Sequence, residues 1–184
     1  MGKLAKRPMT AERFLRRDMN GREFVDGRVQ EKAMGLEASW VQGNLQARLA
    51  VWSGFGRLGF VCDSEGLYHC FPHSPEQVRR PDVSFIRRGR LPGDILPKGA
   101  CPIPPDFLAE VVSPNEKATD LLAKVRDFRR VGVPLIWVIS PDHRTVTVYC
   151  DGREDGERTA ADELVGDPVL PGFRLPVADL FPPQ

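Results

Sequence analysis

Apolar residues recur at two spacings along this chain, a helical one and an alternating one. Thr10 has the chemistry to cap a short helix through Asp18, with Phe14 and Leu15 turned inward. Arg22–Val25 and Arg28–Glu31 flank Asp26-Gly27, the strongest hairpin signal in the chain. From Glu37 to Trp52, the residues Trp40, Val41, Leu45, Leu49 and Trp52 recur at helical spacing, which predicts one buried face. Gly54 and Gly56 end that helix. Phe60–Cys62 and Leu67–Phe71 predict two short strands joined near Glu65-Gly66, and Val83–Ile86 a third. Residues 87–106 contain Pro92, Pro97, Pro102, Pro104 and Pro105 and predict a loop long enough to be functional or mobile. A strand over Phe107–Val112 stops at Ser113-Pro114, and Asn115 can cap a helix that runs to about Val131. Leu121, Val125 and Phe128 form its inner stripe, and Gly132 and Pro134 terminate it. Leu135–Ile139 is continuously apolar, the pattern of a strand covered on both faces. Thr145–Tyr149 alternates, predicting a half-exposed neighbour. Leu170–Phe173 and Leu180-Phe181 predict an irregular tail packed on the sheet.

These elements predict an α/β (α+β) fold: a mixed β-sheet core flanked by helices, with an N-terminal helix and hairpin. The chain has 184 residues, which suits one domain over 9–184 behind a disordered tail of residues 1–8. The net charge of +1 excludes a global basic field, so any nucleic-acid site has to be a local patch. Cys62, Cys70, Cys101 and Cys150 form no CxxC pair and no close zinc-type pairing with histidine, so they are expected to be reduced, mostly buried side chains. His69, His73 and His143 are not spaced as metal ligands. There is no signal-peptide pattern and no apolar run long enough to span a bilayer. The expectation is a cytoplasmic protein with no membrane contact.

Two acids change the picture. Asp82 and Glu110 sit on the apolar runs Val83–Ile86 and Phe107–Val112, and a buried acid has to be paired, solvated or holding a metal. Lys124 follows on the next helix, three residues beyond Leu121 and four before Phe128, at the border of the buried face. Two carboxylates and a lysine are the parts of a metal-dependent phosphodiester-cleaving site, in which a hard cation such as magnesium takes carboxylate oxygens.

The ordered set Pro81-Asp82, Glu110-Val111-Val112-Ser113-Pro114, Asp120, Lys124, Gly132-Val133-Pro134 and Trp137-Val138 resembles the Uma-type restriction endonuclease family of the PD-(D/E)XK nuclease superfamily. The resemblance covers roughly residues 10–181. It implies a restriction-endonuclease-like core with a four-stranded mixed sheet, magnesium or manganese as cofactor, and hydrolysis of DNA phosphodiesters. It also implies Asp82, Glu110 and the carbonyl of Val111 as metal ligands. The superfamily's lysine lies two residues after the second acid, where this chain has Val112. Lys124 is its replacement, a displacement that the Uma-type pattern shares. Lys117 is the rival. Glu37 corresponds to a carboxylate that relatives supply from the first core helix, although Ala38 stands where the family often has histidine. Glu23 corresponds to a glutamate of the family's hairpin.

Each of these residues also has a structural reading. Asp82 can cap a turn, Glu110 can pair with an arginine, and Lys124 can snorkel to the surface or pair with Asp120 at i, i+4. Glu37 and Glu23 can be purely structural. Arg79, Arg80, Arg87, Arg88 and Arg90 bracket the Asp82 strand, either as solvated charge or as phosphate-backbone contacts to DNA. The alternative to an endonuclease is a catalytically degenerate nuclease-fold module that binds DNA or a protein partner. A homodimer would suit cleavage of both strands, but no stretch of the sequence announces a dimer face.

Overall fold

A computed structural model describes residues 9–17, 21–31, 34–114, 117–151 and 155–183. The tail at 1–8, Asp18 and the Asn115 cap lie outside the described residues. Helix α1 (Ala11–Leu15) begins at Thr10, whose hydroxyl accepts the Arg13 N–H at 3.3 Å. Strands β1 (Arg22–Val25) and β2 (Arg28–Glu31) form the expected hairpin. Asp26 and Gly27 both have positive φ, 49° and 75°, which matches the right-handed twist of the strands.

The core follows in chain order as α2 (Leu36–Trp52), β3 (Gly59–Cys62), β4 (Val83–Arg87), β5 (Phe107–Val111), α3 (Ala118–Arg130), β6 (Leu135–Ser140), β7 (Thr145–Cys150) and β8 (Gly156–Arg158). These six strands form one sheet in the order β3-β4-β5-β6-β7-β8. All neighbours are antiparallel except β5 and β6, which α3 connects as a crossover. A separate pair, β9 (Glu163–Val165) and β10 (Arg174–Pro176), lies in the C-terminal segment.

Side-chain alternation assigns the two faces. Val83, Phe85, Phe107, Ala109, Val111, Leu135, Trp137 and Ile139 face α2, packing on Val41, Leu45 and Leu49 and on the C-terminal Leu170, Phe173 and Leu180. Ile86, Leu108 and Ile136 face α3, against Val125 and Phe128. Each such buried side chain contributes about 1.5–3 kcal/mol by leaving water. A third cluster joins α1 and the hairpin through Phe14, Phe24 and Val78. Phe24 and Val78 exchange backbone hydrogen bonds at 3.0 and 2.8 Å, tying the hairpin to the segment that leads into β4.

Four expectations change. The four-stranded core that the resemblance implies is part of a six-stranded sheet, whose last strand, short and polar β8, lacks the alternation that marks the others. Residues 67–71 make single bridges from Tyr68 to Arg79 and Cys101 instead of a strand; Pro72, Pro75 and Pro102 cannot donate to a ladder. Trp40 is 44% exposed, since it adjoins buried Val41 and adjacent helical residues cannot share a face. The C-terminal segment is packed on the sheet as expected, but includes β9 and β10. All four cysteines are free, and Cys70, Cys101 and Cys150 are buried.

Candidate active site

Asp82 is the bend residue immediately before β4, whose first residue pairs with Ala109 of β5. Glu110 follows Ala109 on β5. Both acids lie near one cation: Glu110 touches Lys124 at 2.8 Å, and the charge of Asp82 also acts on that lysine. By alternation both point to the face covered by α3. Both are buried, at 0% and 1% exposure. The Val111 N–H donates to Asp82 Oδ2 at 2.7 Å and fixes that carboxylate. The Val111 side chain itself faces α2. Beside Asp82, Ser84 accepts the Tyr68 hydroxyl at 2.8 Å in the interior, and burial pushes that phenol's pKa up.

Lys124 projects from the inner face of α3 and is 3% exposed. Its ammonium donates to Glu110 Oε2 at 2.8 Å and to the Arg80 carbonyl at 2.7 Å, and pairs with Glu23 Oε1 at 2.9 Å. Three acceptors match the three N–H bonds of the ammonium. Burial alone would push its pKa down, but Glu110, Glu23 and Asp82 outweigh that and hold it above the ordinary lysine range. The surrounding acids thus favour the charged form of Lys124.

Glu23 proves to be a pivot of the cluster. Its Oε1 also accepts the Arg80 N–H at 2.7 Å, and its Oε2 accepts from Arg79 Nη1 at 3.3 Å. Arg79 Nη2 reaches Asp127 Oδ2 at 2.5 Å, and Gln77 donates to the same oxygen. Asp127 lies three residues after Lys124, so one helix supplies both. Asp127 and Gln77 escaped the sequence reading; the i, i+3 spacing of Asp127 to Lys124 was the available signal.

The other candidates fall elsewhere. Arg79 and Arg80 are not a DNA-facing patch: they are 3% and 2% exposed, and Arg80 Nη1 binds Glu65 at 2.7 Å. Arg87 and Arg88 stand at the far end of β4, five or six residues and about 16–20 Å from Asp82 at strand rise. Arg87 and Arg90 there pair with buried Asp106 at 3.1 and 2.8 Å, and Arg88 stacks on Phe60. Glu37 and Asp120 are exposed first-turn acids of α2 and α3, outside the buried cluster. Lys117 is exposed with extended backbone at the head of α3. Val112 is half-buried, with its N–H on the Ile139 carbonyl. Among the described residues no group of three or more His, Cys, Asp or Glu side chains is set to hold a metal. The donor set on β4 and β5 is two carboxylates, which fits magnesium, an ion commonly held by one or two carboxylates with waters and phosphate oxygens completing the shell.

A mixed sheet with helices on both faces, the two acids on adjoining strands at its centre, is a restriction-endonuclease-like nuclease fold. A solved structure described as a putative nuclease belonging to DUF820, from Anabaena variabilis ATCC 29413, is similar with a TM-score of 0.79 and 21% identity. The match covers 95% of this chain and 98% of that one. The Uma2 family, described as "Putative restriction endonuclease", matches residues 11–178, and the chain belongs to that family. No curated protein matches the sequence.

Proposed function

We propose that the chain is a divalent-metal-dependent endonuclease that hydrolyses DNA phosphodiester bonds, with Asp82, Glu110 and the Val111 carbonyl holding magnesium or manganese. The observation that carries this reading is the buried Lys124–Glu110 contact at 2.8 Å beside Asp82. It supports Lys124 as the lysine that Val112 cannot supply. When bound, the ion would polarise the phosphate and lower the pKa of a water. Val111 N–H and Lys124 hold one oxygen of Asp82 and of Glu110, so both carboxylates are oriented before any substrate arrives. Lys124, kept charged by three acids, offers a fixed positive charge to the phosphoryl oxygens as negative charge builds there. Glu23 holds the ammonium from its other side and stops it from swinging away.

One observation favours a second reading, a nuclease-fold module without catalysis. Both carboxylates are at most 1% exposed, so a phosphate reaches them only if the surrounding chain moves apart. Titration calorimetry with magnesium and with manganese, together with plasmid nicking, separates the two. The endonuclease reading requires metal binding and nicking by the wild type, both lost in Asp82→Asn. A folded wild type that binds neither ion supports the module instead.

A further inference from the structure

Helix α2 is apolar on both sides. Ala38, Val41, Leu45 and Leu49 are buried on the sheet. On the opposite side Leu36, Trp40, Gly43, Ala47 and Val51 are all exposed, at helical spacing that makes one continuous stripe without a charge. Leu36 is 90% exposed and Val51 66%, and Phe55, just past the helix end, is 82% exposed. The two apolar sides are separated by polar flanks that carry Glu37, Gln42, Asn44, Gln46 and Arg48, so the exposed side is a stripe of its own, and an apolar stripe this long on a free surface marks an interaction site.

We propose that this stripe is the face of a homodimer in which two copies of α2 pack antiparallel across a two-fold axis near Gly43. The stripe is bulky at its ends and small in the middle. Antiparallel pairing sets Leu36 on the partner's Val51 and Trp40 on the partner's Ala47, with glycine at the crossing. A Cβ built at Gly43 meets nothing within 4 Å, so the approach is open. Charge agrees with size. Glu37 and Arg48 lie on the same flank of the stripe, eleven residues and about three turns apart. A two-fold axis perpendicular to the helix brings a flank back onto itself reversed, so at both ends Glu37 comes to the partner's Arg48, an exposed guanidinium that its own chain holds at Asn44 (3.1 Å) and Asp179 (3.7 Å). Area agrees as well. At roughly 150–250 Å² per large side chain, the exposed parts of Leu36, Trp40, Val51 and Phe55 come to about 500 Å² per copy, about 1,000 Å² when doubled, the area that a biological interface has to reach. The arrangement is independent of the proposed chemistry.

Sedimentation velocity from about 1 to 100 μM tests it, a span that covers micromolar self-association. The wild type is expected to pass from monomer to dimer. Ala47→Glu sets a carboxylate against the partner's Trp40 on each side of the axis and is expected to stay monomeric with unchanged circular dichroism, because position 47 is exposed. Glu37→Arg is expected to weaken the dimer about tenfold and Glu37→Arg with Arg48→Glu to restore it. Gly43→Cys is expected to cross-link as a dimer under mild oxidation, which Arg28→Cys on the exposed hairpin does not. A wild type that is monomeric throughout, a dimer that survives Ala47→Glu, or a Gly43→Cys chain that fails to cross-link overturns the proposal. So does a monomer that uses this face for lipid vesicles.

Discussion

Glu23, on the N-terminal hairpin, and Lys124, on the crossover helix, meet at 2.9 Å although no backbone pairing joins their elements. The lysine thus stands between two acids, Glu23 on the hairpin side and Glu110 on the sheet side. It balances their charge as well as facing the candidate metal position.

Lys124→Ala removes the cation that both acids share and leaves them buried together. The expected cost is about 3–5 kcal/mol of stability, the range for breaking a buried pair. Under conditions where the variant remains folded, DNA cleavage is expected to fall about 100-fold or more with metal binding largely kept. Lys117→Ala is expected to match the wild type in both respects. Urea melts and plasmid nicking on the two variants check this, and nicking lost only in Lys117→Ala would reassign the lysine.

Glu23→Gln keeps the shape of the side chain and removes its charge. Lys124 then has one acid fewer to hold it, and Arg79 keeps only Asp127. The expected result is a fall in kcat of about tenfold with KM nearly unchanged, since the residue orients a group instead of binding DNA. Steady-state kinetics on a short duplex decides it; a rise in KM alone would make Glu23 a substrate contact.

Arg79 and Arg88 are expected to behave oppositely. Arg79→Ala leaves Glu23 and Asp127 without their shared partner and should destabilise by about 3–5 kcal/mol. Neutralising Arg87 with Arg88 should leave the melting transition nearly unchanged, because both are substantially exposed. If that end of the sheet touches the duplex, the same pair should reduce the slope of log affinity against log salt by about 1–2. Fluorescence anisotropy at several salt concentrations reads the slope, and an unchanged slope returns them to solvated charge.

Burial raises the Cys62 thiol to about 11, aided by Asp63, and the Cys70 thiol to about 12, aided by Cys101, from an ordinary 9.0. Above pH 9 the unfolded chain releases these protons while the native state keeps them. Their contribution to stability is therefore complete below about pH 9 and is lost as pH climbs toward 11 and 12. Denaturant midpoints across pH 7–11 should fall at the alkaline end, and a Cys62→Ala, Cys70→Ala chain should show a shallower fall. Parallel curves would remove the thiols as the cause.

The parts of this molecule visible in its sequence are those where local pattern and final environment agree. Asp82 and Glu110 stood out because a carboxylate in an apolar run has to be accounted for, and Lys124 because it interrupts the Leu121–Phe128 stripe. The hairpin followed from Asp26-Gly27 alone. Arg79 and Arg80 misled because a sequence displays charge and not burial. The acids that neutralise them come from β1, α3 and residue 65, which the Phe24–Val78 bridge, the docking of α3 and the Tyr68–Arg79 bridge bring near. The role of Glu23 stayed open for the same reason. Trp40 reads as buried from sequence because α2 carries apolar residues on two opposite sides and the pattern does not say which of them meets the sheet.

The crossover that joins β5 to β6 also sets an order of assembly. Glu110 and Lys124 are 14 residues apart on consecutive elements, so their contact closes a short loop. Glu23 and Lys124 are about 100 residues apart, and that longer closure costs about 2 kcal/mol more in chain entropy. A nascent strand–helix–strand unit can therefore draw its lysine onto Glu110 by itself, while the second acid waits for the hairpin to dock. The hairpin thus adds the second acid from outside that unit, and the charge balance around the lysine is complete only with the hairpin docked.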